Sequence, residues 1–133
     1  MAKITAEMKE VAAEAKVFVL ATATKDGKPN AVPIGFGRVF SDDEILLMDN
    51  FMLKTRQNID ANPIVAVSVW ANGKGGYQFK GTARVESSGN FFDEEVQWVK
   101  SRAPKLIPKA AIIVKVDEIY ITTGGPDAGK RVS

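Results

Sequence analysis

Apolar and polar positions along this chain change period several times, and each change marks the start of a new element. In residues 5–16, TAEMKEVAAEAK, the apolar side chains Met8, Val11, Ala12 and Ala15 recur at helical spacing. Thr5 stands where an N-cap belongs, which predicts a short amphipathic helix. Residues 17–24, VFVLATAT, are rich in β-branched side chains and run into Asp26-Gly27, a two-residue hairpin signal. The return strand is predicted over 30–40, NAVPIGFGRVF. Pro33 has no ladder donor, so this strand lies at an edge or breaks its pairing there, and Gly35 and Gly37 permit a bulge or the close approach of a ligand. A turn at SDDE leads into a third strand, ILLMDN.

The period then shifts in FMLKTRQNIDANP, where Thr55 to Ala61 read as one or two helical turns stopped by Asn62-Pro63. IVAVSVWA is the fourth strand and YQFKGTARVES the fifth. NFFDEEVQWVKSRA, residues 90–103, is a second amphipathic helix with Phe92, Val96 and Val99 on one side and Phe91 and Trp98 beside them. AAIIVKVDEIYITT, residues 110–123, is a long sixth strand, followed by a tail at 124–133. No repeat or linker interrupts this order, so residues 1–133 are read as one domain. Six mostly antiparallel strands with short helices predict a mainly β fold, a closed or nearly closed barrel, although a sandwich fits the pattern as well.

Composition narrows the chemistry more than the fold. The 45% apolar and 26% charged residues are ordinary for a globular domain. No apolar run approaches the roughly 20 residues of a bilayer span, which predicts no membrane partner. The N-terminal stretch mixes charges among its apolar residues, unlike a signal peptide, so a cytoplasmic location is expected. Cysteine and histidine are both absent, which removes thiolate metal sites, disulfides, Cys nucleophiles, Ser-His-Asp triads and the usual proton shuttle near neutral pH. Any redox chemistry would therefore come from a cofactor that the protein positions. A net charge of +2 with scattered basic residues argues against nucleic acid. Phe36, Tyr77 and Phe79 with Lys80 and Arg84 are the only features favouring a barrel that binds single strands.

Two stretches invite a phosphate. Residues 124–130, GGPDAGK, match the spacing G-x-x-x-x-G-K, but Arg131 replaces the required Ser or Thr and only Val132 and Ser133 follow, too few for a helix. The second is Asn50 to Asn58, between a strand end and a short helix. Helix-terminal amides, the Lys54 ammonium and the Thr55 hydroxyl would converge there, as a phosphomonoester requires, although a solvated Lys54/Arg56 pair on a capped helix is the commoner reading of such a turn. Each charge-assisted hydrogen bond would contribute about 1.5–3 kcal/mol. Other candidates have ordinary readings: Trp70 and Trp98 as core, Asp42, Asp43 and Glu44 as a solvated turn, and Glu94 and Glu95 as first-turn acids facing the helix dipole.

The run ILLMDNFMLKTRQNIDANPIVAVSVW, followed by YQFKGTARVE and preceded by VLATATKDGKPNAVPIGF, resembles the pyridoxamine 5′-phosphate oxidase-like, FMN-binding split-barrel superfamily over about residues 17–123. The resemblance implies a six-stranded antiparallel split barrel and a homodimer with FMN at the subunit interface. Val32, Pro33, Ile34 and Gly35 would lie along the isoalloxazine ring, and Met48, Asp49 and Asn50 beside the ring and ribityl chain. Lys54 and Thr55 would hold the phosphate with help from Asn58. It implies no metal site, a small electron donor or acceptor as partner, and a tail at Gly124 to Arg131 that orders against the second subunit. Pyridoxamine phosphate oxidases themselves carry a basic, His-containing C-terminal substrate motif that this sequence lacks, which argues against a vitamin B6 oxidase. Relatives binding the deazaflavin F420 share the barrel and make it the second cofactor candidate.

Overall fold

The computed structural model describes residues 2–133. Helix α1 (Ala6–Glu14) is followed by strands β1 (Phe18–Ala23), β2 (Pro29–Ile34), β3 (Gly37–Val39) and β4 (Glu44–Asp49). Then come α2 (Lys54–Ala61), β5 (Ile64–Ala71), β6 (Gly75–Glu86), α3 (Asn90–Arg102) and β7 (Ala110–Ile121). Thr5 caps α1 in a capping box: its hydroxyl accepts from the Met8 amide while the Met8 sulfur accepts from the Thr5 amide. All seven strands form one sheet in the order β2-β1-β5-β6-β7-β4-β3, and every neighbouring pair is antiparallel. The sheet curls into a half-barrel, so the predicted split-barrel class is correct.

The strand count is seven rather than six, because the stretch predicted as one strand over 30–40 is two. β2 pairs with β1 at one edge of the sheet and β3 with β4 at the other, so the chain crosses the split of the barrel at Gly35 and Phe36. Pro33 sits in the edge strand, where its missing donor costs nothing in the ladder. Gly37 is the tight point of the crossing. A Cβ there would stand 2.9 Å from both the Leu47 and Phe18 side chains.

The barrel interior is filled by inward residues of alternating strands, among them Leu20, Ile45, Leu47, Val67, Phe79, Ile112 and Val114, closed by Met8, Val11 and Ala12 of α1. β4 and β7 are buried on both faces, because α3 lays Val99 with Phe91, Phe92 and Trp98 over the outward residues Leu46, Met48, Ala111 and Ile113. A strand covered on both faces reads as an uninterrupted apolar run, as AAIIV does.

Several local expectations change. Trp70 is exposed rather than core, and Trp98 is half-buried. Glu94 and Glu95 lie beyond the first turn of α3, and Glu95 is buried against Arg38. Asp42, Asp43 and Glu44 form ion pairs with Lys9, Lys115 and Arg84. Within the one chain the tail is ordered along β7, which leaves the expected contact of Gly124 to Arg131 with a second subunit as it stood. Residues 124–130 form turns, and Lys130 to Ser133 then run back along Ile119 to Ile121 through backbone hydrogen bonds. β4 pairs only with residues 110–115 of β7, so the tail covers the stretch of β7 edge that β4 leaves open.

Candidate functional site

A cleft of about 320 Å³ opens between the end of β2, the end of β4 and the turn into α2. That is the low end of the size range for small-molecule sites, roughly 300–1,000 Å³. Val32, Pro33, Ile34 and Gly35 form one wall, Met48 and Asn50 the other, and Lys54 and Thr55 one end. Eight of the ten residues predicted from the sequence are thus brought together in one concavity. Phe51, Met52 and Leu53 complete it, and the sequence reading did not single them out.

The α2 end of the cleft gathers groups that can donate to an anion. Leu53 precedes the helix with a backbone outside helical space (φ −126°, ψ −83°), and no side chain caps it, so the leading amides of α2 are left for solvent or ligand. Lys54 is exposed and makes no ion pair among the described residues. Thr55 is buried, and its hydroxyl accepts a hydrogen bond from Asn30 Nδ2 at 3.0 Å. A hydroxyl that accepts from the protein keeps its own proton to donate.

Asn58 and Asp49 do not line the cleft; both work behind it. Asn58 Nδ2 donates to Thr22 Oγ1 at 3.0 Å, and Asn30 Nδ2 donates to the same oxygen at 3.1 Å, so a buried chain Asn58–Thr22–Asn30–Thr55 braces the α2 end against the β1–β2 hairpin. Asp49 is fully buried. One carboxylate oxygen accepts from the Met52 amide at 2.9 Å and the other from Arg56 at 3.2 Å, with Lys109 Nζ 3.7 Å from the first. Lys109 also donates to the Met52 carbonyl at 2.6 Å, so Asp49 and Lys109 together shape the 50–53 turn. The supporting pair Thr22 and Asn30 left a trace in the sequence. They face each other across the β1–β2 hairpin, and Thr22 breaks the buried apolar series of Phe18 and Leu20.

Among the buried side-chain polar atoms of the described residues, Asn50 Oδ1 stands out: it has no partner within the protein, in a residue that lines the cleft. An orphaned acceptor costs about 1–3 kcal/mol, so a ligand that donates an N–H or O–H here would recover that cost. An apolar wall, an acceptor without a protein partner and a cationic end together suit a polar-edged ring carrying a phosphate.

An antiparallel half-barrel whose cleft opens at a strand-to-helix turn belongs to the split-barrel class. Comparison with known proteins supports this. The pyridoxamine 5′-phosphate oxidase family matches residues 4–123. The uncharacterized protein MJ0282 of Methanocaldococcus jannaschii is 40% identical over 134 residues, 98% of this chain and 89% of that protein. The crystal structure of HupZ from Group A Streptococcus is 29% identical with a TM-score of 0.81, covering 95% of this chain and 99% of that one. An FMN-binding protein from Syntrophomonas wolfei shares the fold at 17% identity and a TM-score of 0.77, covering 90% of this chain and 88% of its own. The chain belongs to the pyridoxamine 5′-phosphate oxidase family of FMN-binding split barrels. Among the described residues, no helix is long and apolar enough to cross a membrane.

Proposed function

We propose that the cleft binds FMN and that the protein is a homodimeric flavoprotein exchanging electrons or hydride with a small molecule. The observation that carries this reading is the orphaned Asn50 acceptor in the same cleft as Lys54, Thr55 and the uncapped start of α2. A ring edge with an N–H donor answers the first, and a phosphate answers the others. Bound there, FMN would supply the redox chemistry that a chain without Cys or His lacks. The chain's own residues do the rest. Lys54 and Thr55 hold the phosphate, Val32 to Gly35 press on one ring face, and Asn50 accepts from a polar group. Thr22, Asn30, Asn58 and Asp49 keep these groups in place.

The cleft is open on one side, and Phe51 and Leu53 stand 80% and 73% exposed at its rim. Such apolar side chains beside an open ligand site favour cover from a second copy of the chain. The aromatic set considered for nucleic acid forms no row of exposed rings: Phe79 is fully buried, Tyr77 is half-buried and Phe36 packs edge-on against Trp98 at 5.5 Å.

The absorbance spectrum of the purified protein, before and after incubation with FMN and with F420, tests the proposal. Bound FMN with near-stoichiometric uptake is the expected result, in a particle of twice the chain mass. Uptake of F420 in place of FMN would reassign the cofactor, and a protein that takes up neither overturns the reading.

A further inference from the structure

A second concavity, about 580 Å³, lies on the other side of the β2–β3 crossing, between α1, β3 and the C-terminal half of α3. Its lining contains four cations, Lys9, Lys16, Arg38 and Arg102, and no carboxylate. Two of these are already engaged. Lys9 pairs with Asp42 at 2.5 Å, and both Glu95 oxygens accept from Arg38 Nη2 at 2.6 Å. Lys16 and Arg102 have no ion-pair partner among the described residues, so the groove carries an uncompensated positive charge.

The same groove has an aromatic floor that is already ordered. Arg38 lies 4.2 Å over the Trp98 ring, and Phe36 meets Trp98 edge-on. Glu95 holds Arg38 from beneath with a buried carboxylate, so the guanidinium is fixed before any ligand arrives, and little ordering is left for binding to cost. The outward face of a planar guanidinium fixed in this way, beside free cations, favours a ring that bears an anion.

Gly35 lines this groove and the cofactor cleft alike. Nothing in the fold demands glycine there. Its φ is not positive, and a Cβ would meet nothing within 4 Å. Gly35 is therefore a shared lining residue of the two cavities, with room around it.

We infer that the groove is a second ligand site, adjoining the cofactor cleft at Gly35, that takes an aromatic anion. Its link to a cofactor rests on the flavin reading of the cleft; the binding does not. The test uses Trp70→Phe protein without cofactor, in which Trp98 is the sole tryptophan, titrated with 4-nitrophenyl phosphate, whose nitroaromatic ring quenches tryptophan on contact. Saturable quenching is expected, weakened at least tenfold in the added double variant Lys16→Gln/Arg102→Gln and in parallel titrations with the neutral 4-nitrobenzyl alcohol. Both cations are surface residues without ion pairs, so their removal leaves folding intact. Unchanged affinity in the double variant overturns the proposal. So does a loss of quenching in Lys54→Ala alone, which would place the anion in the cofactor cleft. In FMN-loaded protein, saturating the groove is expected to shift the flavin absorbance. A flavin spectrum unmoved at saturation would leave a binding site but overturn its link to the cofactor. Failure of FMN to bind at all would overturn only the flavin reading.

Discussion

Lys54 is the residue on which the cofactor reading can be tested most directly, because it is exposed, unpaired and at the open end of the cleft. Replacing it with alanine removes a charge-assisted hydrogen bond without leaving a buried partner stranded. Lys54→Ala is therefore expected to weaken FMN binding by about 1.5–3 kcal/mol, roughly ten- to over a hundredfold, with the melting temperature of the apoprotein unchanged. Fluorescence titration checks the first expectation and thermal denaturation the second; equal affinity would move the phosphate away from α2. Its neighbours show where residue-scale reading of a sequence stops. Lys54 and Thr55 could be identified because a basic and hydroxyl pair at a helix start has a chemical meaning at any exposure. Asp49 and Asn58 occupy matching positions in the same stretch, yet both turn inward to brace the turn and the hairpin. Direction at a strand end depends on which face is covered, and α3, more than forty residues later, helps decide that for β4.

At the scale of elements, the pairing of β6 with β7 shifts register between Lys80 and Gly81, and the shift depends on a close backbone approach. A Cβ at Gly81 would stand 2.0 Å from the Lys115 carbonyl oxygen, a contact that only backbone movement can relieve. Gly81→Ala is thus expected to destabilise the fold by about 1–3 kcal/mol, the usual cost of overpacking, measured by urea denaturation. A variant as stable as the parent would mean that the bulge can move along the strand. The ion pairs that tie the β3–β4 turn to its neighbours act at this scale too. Lys9 lowers the Asp42 carboxyl from its ordinary value by hydrogen bond and charge, and Lys115 does the same for Asp43 chiefly by hydrogen bond. A carboxylate whose folded value is depressed stabilises the fold fully above its unfolded value, near 4. That contribution is lost as pH falls through the lower folded value. Melting temperature is expected to fall between about pH 5 and 2, and Asp42→Asn/Asp43→Asn to flatten that part of the profile; an unflattened profile would show that these exposed pairs contribute nothing measurable. Element types were readable throughout from period and punctuation. The split of NAVPIGFGRVF was not, because a chain that leaves one sheet edge for the other keeps extended geometry and alternation on both sides of the crossing.

For the whole molecule, the tail decides how the barrel ends. Three backbone hydrogen bonds join Lys130, Val132 and Ser133 with Ile119 and Ile121, the Gly129 amide donates to the Ile121 carbonyl, and the Lys3 amide donates to the Ser133 hydroxyl at 3.0 Å. Exposed bonds of this kind contribute only about 0.5–1.5 kcal/mol each, and the entropy cost of ordering the tail offsets that gain. The tail's contribution therefore lies less in stability than in covering the β7 edge. No sequence signal announced this, since Gly, Pro and Asp turns look alike whether they lead into solvent or back onto a strand. Truncation after Thr123 is expected to change the unfolding free energy by no more than about 2 kcal/mol. It should also free the edge around Ile119 to pair with other chains. Light scattering at rising protein concentration should then show open-ended association of the truncated protein, where the full chain stays at its native size. If the truncated protein instead keeps its size and loses FMN affinity, the tail serves the cofactor site of a partner subunit, and its packing along β7 is how it is held in place for that purpose.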